Sequence, residues 1–163
     1  MVTDYPKILQ VLASANVDFI VIGGVAAVTH GSARLTLDVD VVYRRTTDNI
    51  DRIVSALNPF NPYPRGAPAG LPFIWDRQTI RNGLNFTLTT TLGDLDILGE
   101  IAGGGGYEDL LSHSSIQSAF GVNCMCLDLE YLIRTKRAAG RPKDYEAIAE
   151  LEAILDERGD LGK

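Results

Sequence analysis

The sequence is short of the residues that staple or metallate a small chain. It has two cysteines and two histidines in 163 residues. Cys124 and Cys126 are too few for a disulfide framework, and His30 and His113 lie too far off in sequence to complete a zinc site with them. Both cysteines are expected as small buried side chains in a reduced cytosol. No apolar run approaches the roughly 20 residues of a membrane span. The first residues lack a basic segment followed by an apolar one, so a secretory signal is not expected and a cytoplasmic location is. Positive charge is also scarce: 15 Lys and Arg stand against 21 Asp and Glu, a net charge of −6. That balance argues against general duplex-DNA binding. The basic–aromatic interleaving of a single-strand binder is missing as well.

What is present supports a core. The chain is 45% hydrophobic, and its length suits one domain, residues 1–163. Charge is uneven: Arg134, Lys136, Arg137, Arg141 and Lys143 crowd one stretch, while acids gather at Glu146, Glu150, Glu152, Asp156 and Glu157. A local basic site on an acidic protein suits a small polyanion.

Periodicity predicts a helix over Tyr5–Ala13, capped by Asp4, and a buried strand over Val17–Ile22 that ends at Gly23-Gly24. A short helix follows over Val25–Thr29. Thr36–Tyr43 alternates, with Asp38 and Asp40 on one face and Leu37, Val39 and Val41 on the other. An amphipathic helix covers Thr46–Leu57. Asn58–Gly70, with four prolines, reads as a long loop. Strands are expected at Leu71–Trp75, Asn85–Thr91 and Leu95–Leu98, and a hairpin at Ser115–Phe120 and Val122–Cys126. Gly103–Gly106 reads as flexible. Two closing helices, within residues 128–158 and broken at Gly140-Arg141-Pro142, belong to the same domain. The order gives an α+β (α/β) sheet domain.

Two features carry chemistry. Carboxylates at i and i+2 of a strand project from one face, and such a pair is unfavourable without a cation between them. Asp38 and Asp40 interrupt an otherwise apolar strand, which points to a hard divalent ion, Mg²⁺ or Mn²⁺. The Ile22-Gly23-Gly24-Val25 turn lets backbone approach a phosphate at a helix start.

The two together resemble the signature of the DNA polymerase β-type nucleotidyltransferase superfamily: strand, Gly23-Gly24, short helix, then Asp38-Val39-Asp40 after thirteen intervening residues. The run from Gly23 through His30-Gly31 to Arg34 is similar to the small prokaryotic members, including those of abortive-infection and toxin–antitoxin operons. Leu129 to Asp144 resembles their closing helix motif, so the resemblance spans nearly the whole chain. It implies a nucleotidyltransferase fold, a mixed sheet flanked by helices with C-terminal helices. By position it implies that Gly23 and Gly24 hold the triphosphate of an NTP, ATP by default, and that Asp38 and Asp40 bind two metal ions. A third carboxylate from a later strand would be Asp96 or Asp94; Asp96, followed by Ile97-Leu98, matches better. The reaction implied is transfer of an NMP to a hydroxyl of a tRNA, a protein or a small molecule, with pyrophosphate released.

Arg34, Lys136 and Lys143 are candidates for phosphate contact, with solvated helix ends as the plainer reading for the lysines. Thr36 shares the face of Asp38 and Asp40 and could orient a carboxylate or a ligand. His30 reads as a packing residue, and Trp75 with Phe73 as core. One departure is Gly24, where many active members of the superfamily carry serine. A fold that has kept nucleotide binding but lost turnover, as an antitoxin-like partner, is the competing reading. The chain is short for a separate substrate domain, so a homodimer or operon partner could complete the acceptor site.

Overall fold

The structure is a computed structural model describing residues 2–161; the expected limits Met1 and Lys163 fall outside the described residues. Asp4 accepts from the Lys7 amide and caps α1 (Tyr5–Ser14). β1 (Phe19–Ile22), α2 (Gly23–Thr29) and β2 (Asp38–Tyr43) follow as the alternation requires. α3 (Thr47–Leu57) turns Ile50, Ile53 and Leu57 inward. β4 (Asn85–Thr90) and β5 (Gly93–Leu98) form a hairpin, as do β8 (Ser114–Ala119) and β9 (Val122–Leu127). α6 (Leu129–Ala139) stops at Gly140 with φ +64, a left-handed helix end suited to glycine, and α7 (Tyr145–Leu161) packs back on it.

These strands join β3 (Tyr63–Pro64) in a seven-stranded sheet of order β3-β4-β5-β2-β1-β9-β8. β2 runs antiparallel to β1 but parallel to β5, and β1 runs parallel to β9, so the sheet is mixed. One contiguous core joins α1 and α3 to Val39, Val41, Leu95 and Ile97. Cys124 and Cys126 are buried free thiols on β9, with pKa values pushed by burial to about 11 and about 12.

Four expectations need correction. Leu71–Trp75 is not a strand: the Trp75 indole donates to the Val54 carbonyl and Phe73 packs on Tyr63 and Trp75, so aromatic packing holds this segment as coil. The Asn58–Gly70 loop contains edge strand β3, paired to β4 through Tyr63 and Pro64. The glycine run is not loose, because Gly105–Gly106 (β7) pairs with Glu100–Ile101 (β6) and leads into α5 (Tyr107–Leu111). Leu37 does not join the buried face of Val39 and Val41: β2 starts at Asp38, and Leu37 is 80% exposed. A further short helix, α4 (Arg77–Asn82), is capped by Asp76.

His30 closes α2 and is buried. Its Nε2 lies 2.7 Å from the Leu127 carbonyl, and its Nδ1 3.2 Å from the Arg158 guanidinium. The neutral tautomer with the proton on Nε2 satisfies both contacts. Burial holds its pKa below the ordinary value. A base depressed in the folded state stabilises above its unfolded pKa, and that stability is lost as pH falls through about 6.5. The stability difference between wild type and His30→Gln, from urea unfolding, is therefore expected to shrink from pH 7 to pH 5. A difference that holds constant would remove this role.

Candidate active site

The site stands where the β1–α2 turn meets β2 and β5. Gly23 has φ +64, a conformation that costs an L-residue about 1–2 kcal/mol. A Cβ there would also fall 2.1 Å from Asp40 Oδ2. Gly24 is constrained by its neighbours instead, since its Cβ would meet Thr36 Oγ1 at 2.4 Å. The two glycines let the turn close onto the Asp40 and Thr36 side chains. Glycine rather than serine at position 24 is thereby explained, because Thr36 fills the space a side chain would need.

The parallel register sets Asp38 beside Asp94 and Asp40 beside Asp96. Asp38, Asp40 and Asp96 each bring one oxygen into a group within 4.8 Å of one another. Asp94 lies outside that trio. The four acids share a face by strand alternation, opposite buried Val39, Leu95 and Ile97.

Two of the three carboxyls, those of Asp38 and Asp40, are held above their ordinary pKa. Burial, then the Asp38 and Asp96 charges, push the Asp40 carboxyl up to about 8, with Lys136 opposing. Asp38 is raised by burial and by Asp96, with Arg65 opposing. Three carboxylate oxygens at this spacing form a donor set that fits a hard divalent cation.

Two cavities meet at these carboxylates. The larger, about 510 Å³, is lined by Gly24, Arg34, Thr36, Asp38, Lys136 and Lys143. The smaller, about 350 Å³, is reached by Gly23, Asp40, Asp96 and Lys136 and has Leu98, Ile101 and Leu132 on its wall. Although Gly140 breaks the helix between them, Lys136 and Lys143 face the same larger cavity. Arg34 lines it too and pairs with Glu146 at 3.6 Å.

Sequence reasoning missed two residues, Arg65 and Thr3. Arg65, just past β3, reaches Asp96 at 2.7 Å, Asp94 at 3.5 Å and Asp38 at 3.6 Å. Arg141, expected only as part of the basic stretch, lines both cavities and pairs with buried Asp144 at 2.7 Å. Thr3 Oγ1 donates to the Leu37 carbonyl and accepts from the Asp94 amide, tying the leads of β2 and β5 together. Long-range pairing brings Arg65 and Thr3 to the site, and no local motif announces them.

No protein-family model matches the chain, and no curated protein does. Solved structures do match. The lincosamide antibiotic adenylyltransferase LnuA, with lincomycin bound, aligns at TM-score 0.61 and 17% identity over 94% of this chain and 98% of its own. A protein of Thermotoga maritima, assigned provisionally as a nucleotidyltransferase, aligns at 0.56 and 18% over 94% and 91%. The chain has a nucleotidyltransferase fold. An antigenic nucleotidyltransferase-like protein of Paracoccidioides brasiliensis shares that fold at 0.54 and 18% identity, over 92% of this chain and 72% of its own. In the nucleotidyltransferase fold of this chain, β1, β2 and β5 carry the turn and the acids.

Gly23→Ala is expected to lower stability by about 1–2 kcal/mol from backbone strain alone and to weaken Mn²⁺ binding by displacing Asp40. Urea unfolding and Mn²⁺ titration check the two effects; unchanged Mn²⁺ binding would show that Asp40 tolerates the methyl group. Asp40 also sets a pH dependence. A carboxyl raised in the folded state keeps a proton that the unfolded chain has released, so stability falls as pH rises from about 4 to about 8. In EDTA, the thermal midpoint of wild type relative to Asp40→Asn is expected to fall between pH 5 and pH 8. Parallel curves would contradict the raised carboxyl.

Proposed function

We propose that the protein transfers a nucleoside monophosphate from an NTP, with ATP as the default donor, to a hydroxyl acceptor. The observation that carries this reading is the trio Asp38, Asp40 and Asp96 standing between a basic cavity and a part-apolar one. The larger cavity, with Arg34, Lys136 and Lys143, suits the triphosphate. Thr36 offers its hydroxyl beside the Gly23-Gly24 backbone. The acceptor enters the smaller cavity, which Asp40 and Asp96 border.

In the reaction the acceptor oxygen bonds to the α-phosphorus while the α–β bridging bond breaks, and pyrophosphate leaves. The acceptor's proton passes to a carboxylate, for which Asp96 is the candidate base. Asp38, Asp40 and Asp96 would hold Mg²⁺ or Mn²⁺, which when bound supplies charge stabilisation to the reacting and leaving oxygens. Lys136, which borders both cavities, is placed to offset charge on the transferring phosphoryl group.

A small hydroxyl compound suits the volume and apolar wall of the smaller cavity, and the fold neighbour LnuA is an adenylyltransferase solved with lincomycin. A tRNA end or a protein side chain could present its hydroxyl to the same opening, with a second copy or an operon partner completing the site. One observation favours the alternative of a nucleotide-binding partner without turnover: Arg65 already sits on the acids that would take the metal.

The test is label transfer from each α-labelled NTP with Mg²⁺, offered total tRNA, a cell extract or a panel of small alcohols. Label is expected on one acceptor class. Asp38→Asn and Asp40→Asn are expected to abolish transfer, and Asp96→Asn to slow it by about 10²-fold or more. Metal-dependent NTP binding with no transfer to any acceptor would establish the partner reading instead.

A further inference from the structure

Arg65 has three unusual features. Its backbone is fixed: its amide donates to the Thr87 carbonyl at 2.9 Å, extending the β3–β4 pairing. From this edge position its side chain crosses β4 and β5 to reach β2. Nη2 donates to Asp96 Oδ1 at 2.7 Å and to the Leu88 carbonyl at 2.8 Å. Nη1 stands 3.6 Å from Asp38 Oδ2, and Nε 3.5 Å from Asp94 Oδ2. Second, the fit is incomplete, because Nε is buried and makes no hydrogen bond among the described residues. A buried donor left unmade costs about 1–3 kcal/mol, so this pose is a compromise. Third, two of its three carboxylate partners, Asp38 and Asp96, belong to the trio that fits a divalent ion.

From these contacts we infer that Arg65 is the resident counter-ion of the carboxylate face, that it must leave Asp38 and Asp96 before a divalent cation can bind there, and that the triphosphate of the incoming nucleotide takes up the released guanidinium. This rests on the function proposed above. A guanidinium and a divalent ion cannot share the same carboxylate oxygens without strong like-charge repulsion, which at about 4 Å is worth several kcal/mol in a partly screened site. Arg65 also lines the larger cavity, so a short swing of its side chain stays within reach of the basic group that suits a polyanion. Its planar fork binds phosphate oxygens as well as carboxylates. Arg65 is thus a positioning residue that makes metal and nucleotide bind cooperatively: each alone is disfavoured, and together they exchange partners with the protein.

The experiment measures Mn²⁺ binding to the full chain by electron paramagnetic resonance of the free ion, with and without a non-hydrolysable ATP analogue. Wild type, Arg65→Gln and Arg65→Lys are compared. Without nucleotide, Arg65→Gln is expected to bind Mn²⁺ at least about tenfold more tightly than wild type. With Mn²⁺ saturating, it is expected to bind the analogue about tenfold more weakly. Arg65→Lys keeps the charge but loses the fork, so it should lie between the two in both arms, and it serves alone if the glutamine variant does not fold. Equal or weaker Mn²⁺ binding by the variants, or unchanged affinity for the analogue, overturns the inference. Tighter Mn²⁺ binding and weaker analogue binding in a protein that never transfers label would uphold Arg65 as counter-ion and sink the enzymatic reading. Label transfer by wild type with no change in Mn²⁺ affinity would do the reverse.

Discussion

Parallel pairing of β2 with β5 sets Asp40 opposite Asp96, and much of the molecule answers to that pairing. It places like charges side by side, which no local propensity favours. The pair forms because the other face of the same strands is apolar. Val39, Val41, Leu95 and Ile97 are buried there at 1% exposure or less. Each contributes about 1.5–3 kcal/mol on burial, enough together to hold acids that repel one another. The carboxylates are a charge debt carried by the core behind them.

The compensation is spread over distant segments. Thr3, at the start of the described chain, bridges Leu37 and Asp94 by one hydroxyl, so the entries to both acidic strands keep a common level. The Tyr5 hydroxyl donates to the Thr36 carbonyl and fixes the same approach. Arg65 arrives from the opposite edge of the sheet, and Lys136 from the C-terminal helices. Burial, with the Asp38 and Asp96 charges, pushes the Asp40 carboxyl up to about 8, and Lys136 opposes it. Asp38, with Arg65 opposing its neighbours, is raised less. Burial is the first cause of both shifts, and Asp40 is the more deeply buried of the two.

How much of this the sequence discloses depends on range. The Asp38-Val39-Asp40 alternation, the glycine turn and the Asp4 and Gly140 helix limits are local, and each is legible from spacing and residue type. The residues that follow Asp96 favour it over Asp94 as the third carboxylate, and in the structure Asp96 lies in the trio and Asp94 outside it. Arg65 was hidden inside a proline-rich stretch that reads as loop, and its place is fixed by pairing with Thr87, over twenty residues away. Leu37 misleads through good alternation: hydrogen bonds from Thr3 and Tyr5 hold the chain just before β2, and the strand starts at Asp38, two residues later than the alternation predicts. Trp75 and Phe73 do what their size suggests, but as an aromatic pack on α3 rather than in a strand.

Gly24 shows how a departure from a motif can be read physically. The absence of a side chain there looks at first like a lost phosphate contact. Yet the Thr36 hydroxyl occupies the space, within 2.4 Å of where a Cβ would be, and is itself held by donating to the Asp38 carbonyl at 3.0 Å. A serine at position 24 and a threonine at position 36 in its present rotamer exclude each other. The hydroxyl beside the turn therefore comes from the strand's approach rather than from the helix, on a segment braced by Thr3 and Tyr5. Its position is tied to β2 and so to Asp38 and Asp40 themselves. The Thr3 hydroxyl, bridging the Leu37 carbonyl and the Asp94 amide, braces the segment that carries Thr36 as well as the entries to both acidic strands.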